Sequence, residues 1–231
     1  MAMKGEMILK NIAFSTTYRS SVMKKITKLL TVFMVMLAVF GYPSTVNAGG
    51  GQSFSFKGPS VRASFYDGLG CVITDVFVIA TEARFRDQPG PAQPLSYASV
   101  TIFQYDVCTD TPLHYAYGTT SPLSEGAFQI SNKLSSASLN TTITLFDEVS
   151  GDTFDVDVNI AWTALGSPTR SHDVMHTRTP GCKTNSHITG YSNPAAAAGS
   201  ISDGTTNFTQ VTSDLAFLDL VRSGTVIIGC S

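Results

Sequence analysis

Charge is scarce in this sequence, and lysine is the scarcest kind. Only 14% of the 231 residues are Asp, Glu, Lys or Arg. Six of the 15 basic residues, but only one of the 17 acidic ones, fall before residue 49. The remainder therefore carries 9 basic and 16 acidic side chains, a net of −7, and just three lysines: Lys57, Lys133 and Lys183. Nucleic acids and anionic membranes are held largely through Lys and Arg, so nucleic-acid binding is excluded as an expectation. Apolar runs of membrane length are missing as well. The longest, residues 29–40, rises only about 18 Å as a helix against a hydrocarbon core of roughly 30 Å. Catalytic signatures are equally absent: no Gly-x-Ser-x-Gly elbow, no His-Glu-x-x-His and no EF-hand frame occurs, and no catalytic residue is assigned. Four cysteines without a Cys-x-x-Cys pair exclude a zinc ribbon or a dithiol redox motif.

The short apolar run has a use of its own. Lys24, Lys25 and Lys28 precede it, Gly41 and Pro43 break it, and Val46-Asn47-Ala48 supplies small residues for cleavage. Residues 23–48 thus read as a secretory signal, with residues 1–22 an upstream extension that does not belong to it and is expected not to be translated. Residues 49–231 are expected to form one domain, secreted or otherwise outside the cytoplasm and not stably inserted in a membrane. Export places Cys71, Cys108, Cys182 and Cys230 where disulfides persist. If the two long strands after residue 70 pair antiparallel, Cys71 and Cys108 meet at one end. That favours Cys71–Cys108 with Cys182–Cys230 over the two other connectivities. A loop of this length adds about 4 kcal/mol in the chain-entropy model.

What is present in abundance is alternation. Across residues 154–163, Phe154, Val156, Val158, Ile160 and Trp162 share one side, while Asp155, Asp157, Asn159, Ala161 and Thr163 share the other. Period two is the signature of a strand with one buried face. Residues 141–146 supply a hairpin partner, predicted to set Leu145 against Val156 and Ile143 against Val158. Further strands are predicted at 61–66, 71–85, 97–108, 113–119, 127–131, 183–191, 207–212 and 225–230. Residues 87–96 read as a proline-rich loop. Residues 170–179 show no clear period, and 195–198 and 214–221 fit helix or strand. Short strands separated by Gly, Pro, Asn and Asp predict an all-β fold: a single antiparallel β-sandwich of about 10–12 strands, with an irregular β-barrel as the alternative.

Several residue groups qualify as site candidates. Asp147, Glu148 and Asp152 lie at the hairpin turn with Asp155 and Asp157 beyond, an oxygen-rich set of the kind calcium takes. Asp155 and Asp157, about 7 Å apart on one strand face, also suit a pair of glycosidase carboxylates, with Asn159 in line. His172 and His176, four apart and followed by His187, are weak metal candidates. Tyr115 and Tyr117 share a strand face beside His114 and offer a stacking surface for sugar. The expected function is a binding or surface-interaction module without cofactor, whose partner is a glycan or a protein at the cell surface. A secreted glycoside or ester hydrolase, or a calcium-dependent carbohydrate-binding domain, is the alternative.

Overall fold

The structure is a computed structural model and describes residues 52–68, 70–87, 89–179 and 181–230, apart from the side chains of Asp214 and Cys230. The expected signal and upstream extension lie outside the described residues. Among the described residues ten strands follow one another: β1 (Gln52–Asp67), β2 (Val72–Asp87), β3 (Gln93–Asp106), β4 (Thr111–Thr120), β5 (Phe128–Ile130), β6 (Ser136–Asp147), β7 (Thr153–Ala164), β8 (Thr169–Thr179), β9 (Cys182–Ser202) and β10 (Ser213–Cys230). The predicted all-β, antiparallel fold is what forms, as one sheet in the order β10-β1-β2-β3-β4-β6-β7-β9-β8. β10 pairs β9 as well as β1, so the hydrogen-bonded path through eight strands returns to its start.

One face of this path is apolar because the strands alternate. Val61, Ala63 and Phe65 of β1 pair with Ala80, Val78 and Val76 of β2, and these with Ala98, Val100 and Ile102 of β3. All nine are essentially fully buried. Opposite them stand Leu139, Ile143 and Leu145 of β6 and Val156, Val158, Ile160 and Trp162 of β7, in the same core. Trp162 also donates its indole N–H to the Arg62 carbonyl at 3.1 Å, tying β7 to β1 across 100 residues of sequence. A buried indole N–H needs such a partner.

Beyond this body, β10, β1, β2 and β3 continue past their last core residues, and β8 replaces β7 alongside the first half of β9. The continuation is polar on much of its surface, with a separate pair of stacked rings, Phe54 and Phe85, 5.7 Å apart. Cys71 and Cys108 form the predicted disulfide. Cys182 is disulfide-bonded too, and the Cys230 backbone stands directly opposite it in the β9–β10 ladder.

Three local expectations change, and the stretches left open are resolved. The β6–β7 hairpin has the predicted faces but a register two residues away: Leu145 lies opposite Phe154 and Ile143 opposite Val156. The cause is Asp147, whose N–H bonds the Asp152 carbonyl while its carboxylate accepts the Val149 N–H, centring the turn one residue earlier. The predicted 87–96 loop ends early, since β3 starts at Gln93. Pro94 is tolerated there because that end of β3 pairs with β2 alone. Residues 207–212 form a loop with a single bridge, Ser202 to Asn207, instead of a strand. The stretch without period, 170–179, is strand β8, and both ambiguous stretches are strands.

Candidate functional site: an exposed aromatic row

Strand alternation that sends Ile102 and Ala116 inward must send their neighbours outward. On the outer side of β3 and β4, Phe103 lies directly opposite Tyr115, and across the next boundary Tyr117 lies opposite Phe146 of β6. The rings touch in series. Tyr105 stacks on Phe103 with centroids 6.0 Å apart and planes 13° apart, and Phe103 meets the edge of Tyr115 at 6.4 Å. Tyr115 leans on Tyr117 at 6.0 Å, and Tyr117 meets Phe146 at 6.2 Å. Phe103, Tyr115 and Phe146 are each about 40% exposed, too open for core and too contiguous for isolated surface residues.

Polar groups edge the row. The Tyr105 hydroxyl donates to Asp110. Tyr117 is pushed up from its ordinary value, first by desolvation and then by its hydrogen bond to Glu148. Beyond Phe146, the same outer face carries threonines and carboxylates in register. Thr144 donates to Asp155 at 2.6 Å and Thr142 to Asp157 at 2.8 Å. Asn159 follows, opposite Asn140.

The remaining sequence candidates separate from one another. Asp147 is 1% exposed and points into the junction of β4 with β6. Its carboxylate accepts the Tyr115 N–H at 3.0 Å and the His114 Nδ1–H at 2.8 Å, besides Val149 N–H and Ser150 Oγ. Burial alone would raise this carboxyl, but the hydrogen bonds from His114, Tyr115 and Val149 outweigh it and hold it below 3.8. It closes a seam rather than opening toward a ligand. His114 faces that junction against Phe154 and Phe208, away from Tyr115 and Tyr117. Glu148 and Asp152 sit exposed on the turn.

His172 of β8 and His187 of β9 are brought together, Nε2 to Nε2 at 2.7 Å, with one ring donating to the other. His176, on the same face, bonds Asn185 at 2.7 Å instead. Among the described residues, the group of three metal-type side chains that does converge is Cys71, Asp106 and Cys108. Its two sulfurs are joined to each other, and the Asp106 carboxylate accepts the N–H groups of Cys108 and Thr109, so it caps a turn.

Reading the sequence alone misses Phe103 and Phe146 as members of the row. Their parity within each strand was visible, but the strand order that sets β3, β4 and β6 side by side was not. Tyr97, a further tyrosine of β3, lies outside the row, and burial pushes its phenol up to about 12. Comparison with family models, curated proteins and solved structures finds no match for this chain.

Proposed function

We propose that the protein is a secreted binding module that recognises a glycan through the aromatic row on β3, β4 and β6. The observation that carries this reading is the unbroken series of five rings on one solvent-facing surface, bordered by Asp110, Glu148 and the Asp155–Asp157 ladder. Sugar rings present apolar C–H faces and polar edges. An aromatic ring accepts the first by stacking, and a neighbouring carboxylate or hydroxyl accepts the second. A row spanning several strands suits an extended saccharide better than a single residue.

The hydrolase alternative gains nothing from this surface. Asp155 and Asp157 lie on an open sheet face, and each is already bonded by a threonine.

A panel of polysaccharides tested by affinity electrophoresis, with the Tyr115→Ala and Phe103→Ala variants in parallel, decides the matter. The expected result is retardation by at least one polysaccharide, reduced by either substitution while the melting temperature holds. Stacking losses of about 1 kcal/mol per ring correspond to roughly fivefold in affinity. Absence of retardation across the panel, or retardation that both variants retain, rejects the reading.

A further inference from the structure

A second surface, at the opposite side of β2 and β3 from the aromatic row, has a different chemistry. The face that carries Val61, Ala80, Ala98 and Leu218 in the core does not end there. One step further out the same strands present Leu220, Pro59, Glu82 and Ser96, and beyond these Lys57, Arg84 and Pro94. Together they line an open cleft of about 680 Å³, a size that suits a small ligand.

Three of the cleft's side chains are cations, in a domain where cations are few. Lys57 of β1 stands directly opposite Arg84 of β2 in the ladder. Like charges in that relation repel. Arg222 comes from β10 by a distinct device. Val221 pairs with Gly190 and Ser223 with Thr189, so Arg222 is the extra residue of a β-bulge. Bulges re-aim a side chain. This one lays its guanidinium over the Tyr191 ring, 4.7 Å from the centroid. Tyr191 itself packs on the main core, so Arg222 is held in place from below.

Among the described residues, none of these three cations lies within ion-pair distance of a carboxylate; the two pairs that do form are Arg62–Asp219 and His114–Asp147. Arg86, two residues beyond Arg84, is occupied differently, donating to the Gly90 carbonyl at 2.8 Å. The close approach of β1 to β2 here depends on Gly58, at φ +153°. A Cβ at that position would meet the Glu82 carbonyl oxygen at 2.3 Å.

From this arrangement we propose that the cleft binds an amphiphilic oxyanion: an apolar body bearing a carboxylate or phosphate. Lys57, Arg84 and Arg222 receive the oxyanion. Arg84 and Arg222 match its planar or tetrahedral oxygens with paired N–H donors, and Lys57 adds a point charge. Pro59, Leu220 and Val221 take the apolar body. An oxyanion there offsets the repulsion between Lys57 and Arg84, while Glu82, which also lines the cleft, contributes the opposing charge. The site shares no residue with the aromatic row, so it stands or falls independently of glycan recognition.

The test is isothermal titration of the purified chain with octyl phosphate, octanoate, octyl glucoside and inorganic phosphate, all below micellar concentrations. Octyl phosphate and octanoate are expected to bind saturably, one per chain, and more weakly as salt is raised. The neutral octyl glucoside and inorganic phosphate should each bind at least about tenfold more weakly, lacking the charge or the tail. The double variant Arg84→Gln with Arg222→Gln, both exposed and outside the core, should lose at least about tenfold for the anionic ligands with its melting temperature preserved. Equal binding of octyl glucoside, inorganic phosphate as tight as octyl phosphate, or full affinity in the double variant overturns the assignment. If the double variant melts early, Lys57→Gln alone serves the same purpose.

Discussion

Strands β7 and β8 are nearly the same length and both pair with β9, one with its second half and one with its first. They could hardly look less alike in sequence. β7 runs Phe-Asp-Val-Asp-Val-Asn-Ile-Ala-Trp with every second residue from Val156 to Trp162 buried and Phe154 partly so, whereas β8 runs Arg-Ser-His-Asp-Val-Met-His-Thr-Arg with none buried. The hydrogen-bond ladder is equally continuous in both. Alternation is thus a record of what covers a strand, not of the strand itself: β7 has the core on one side, and β8 has no such covering. Backbone pairing and a few exposed side-chain bonds, His172 to His187 and His176 to Asn185 among them, hold β8 to its neighbour β9.

The sharpest way to test that contrast is to remove one large side chain from β7. Trp162→Ala deletes the largest fully buried group and its bond to Arg62. Loss of about 4 kcal/mol in urea unfolding is expected. A loss under about 1 kcal/mol would mean that the core does not define β7. Next in size is the seam beside it. Asp147→Ala strands the Tyr115 and Val149 N–H donors and should cost about 2 kcal/mol by the same measurement.

A smaller effect appears on acidification. Asp147 is held below its ordinary value, and so is Asp203, chiefly by the Thr206 and Thr205 hydrogen bonds. A carboxyl depressed in the folded state stabilises it fully above the unfolded value of 3.8, and that contribution fades as pH falls through the folded value. Urea midpoints should therefore drop below pH 4, and Asp147→Asn should flatten that drop. Unchanged slope in Asp147→Asn would show that another group carries it. Smallest of all, Val174→Ala on β8, half-exposed at 51%, should shift stability by less than about 0.5 kcal/mol. A larger loss would mean that β8 is covered after all.

The same contrast explains what was readable in advance. In 141–146 and 154–163, where one face meets the core and the other is polar, strand and facing followed from period two; 71–85 and 97–108 were legible as strands, but apolar residues on both faces left their facing open. β8 has polar residues on both faces, so its period carried no signal. The strand expected at 183–191 and the ambiguous stretch 195–198 are one strand in the fold, continuous through Asn193 and Pro194. In the fold Asn193 is buried and spends its amide on the Leu134 and Gly166 carbonyls, inside the continuous strand β9. The hairpin register escaped by two residues because the turn position depends on the bonds Asp147 makes within the turn, to the Asp152 carbonyl and from the Val149 N–H, which alternation does not specify. For the aromatic row, Tyr115 and Tyr117 were legible as a pair. Phe103 and Phe146 join them only through strand order, and strand order is a tertiary fact. The cationic cleft was hidden for a similar reason, since Lys57, Arg84 and Arg222 are dispersed along the chain and converge through pairing alone.

β6 and β7 share eleven paired positions, but β4 and β6 share two, Ala116 with Asp147 and Tyr117 with Phe146. A closed loop of hydrogen bonds breathes where it is thinnest, so amide protons along this junction should exchange with solvent before those of β6–β7. The aromatic row crosses that junction between Tyr117 and Phe146. Whatever lies across all five rings would act as a clasp over the place where the ring first comes undone.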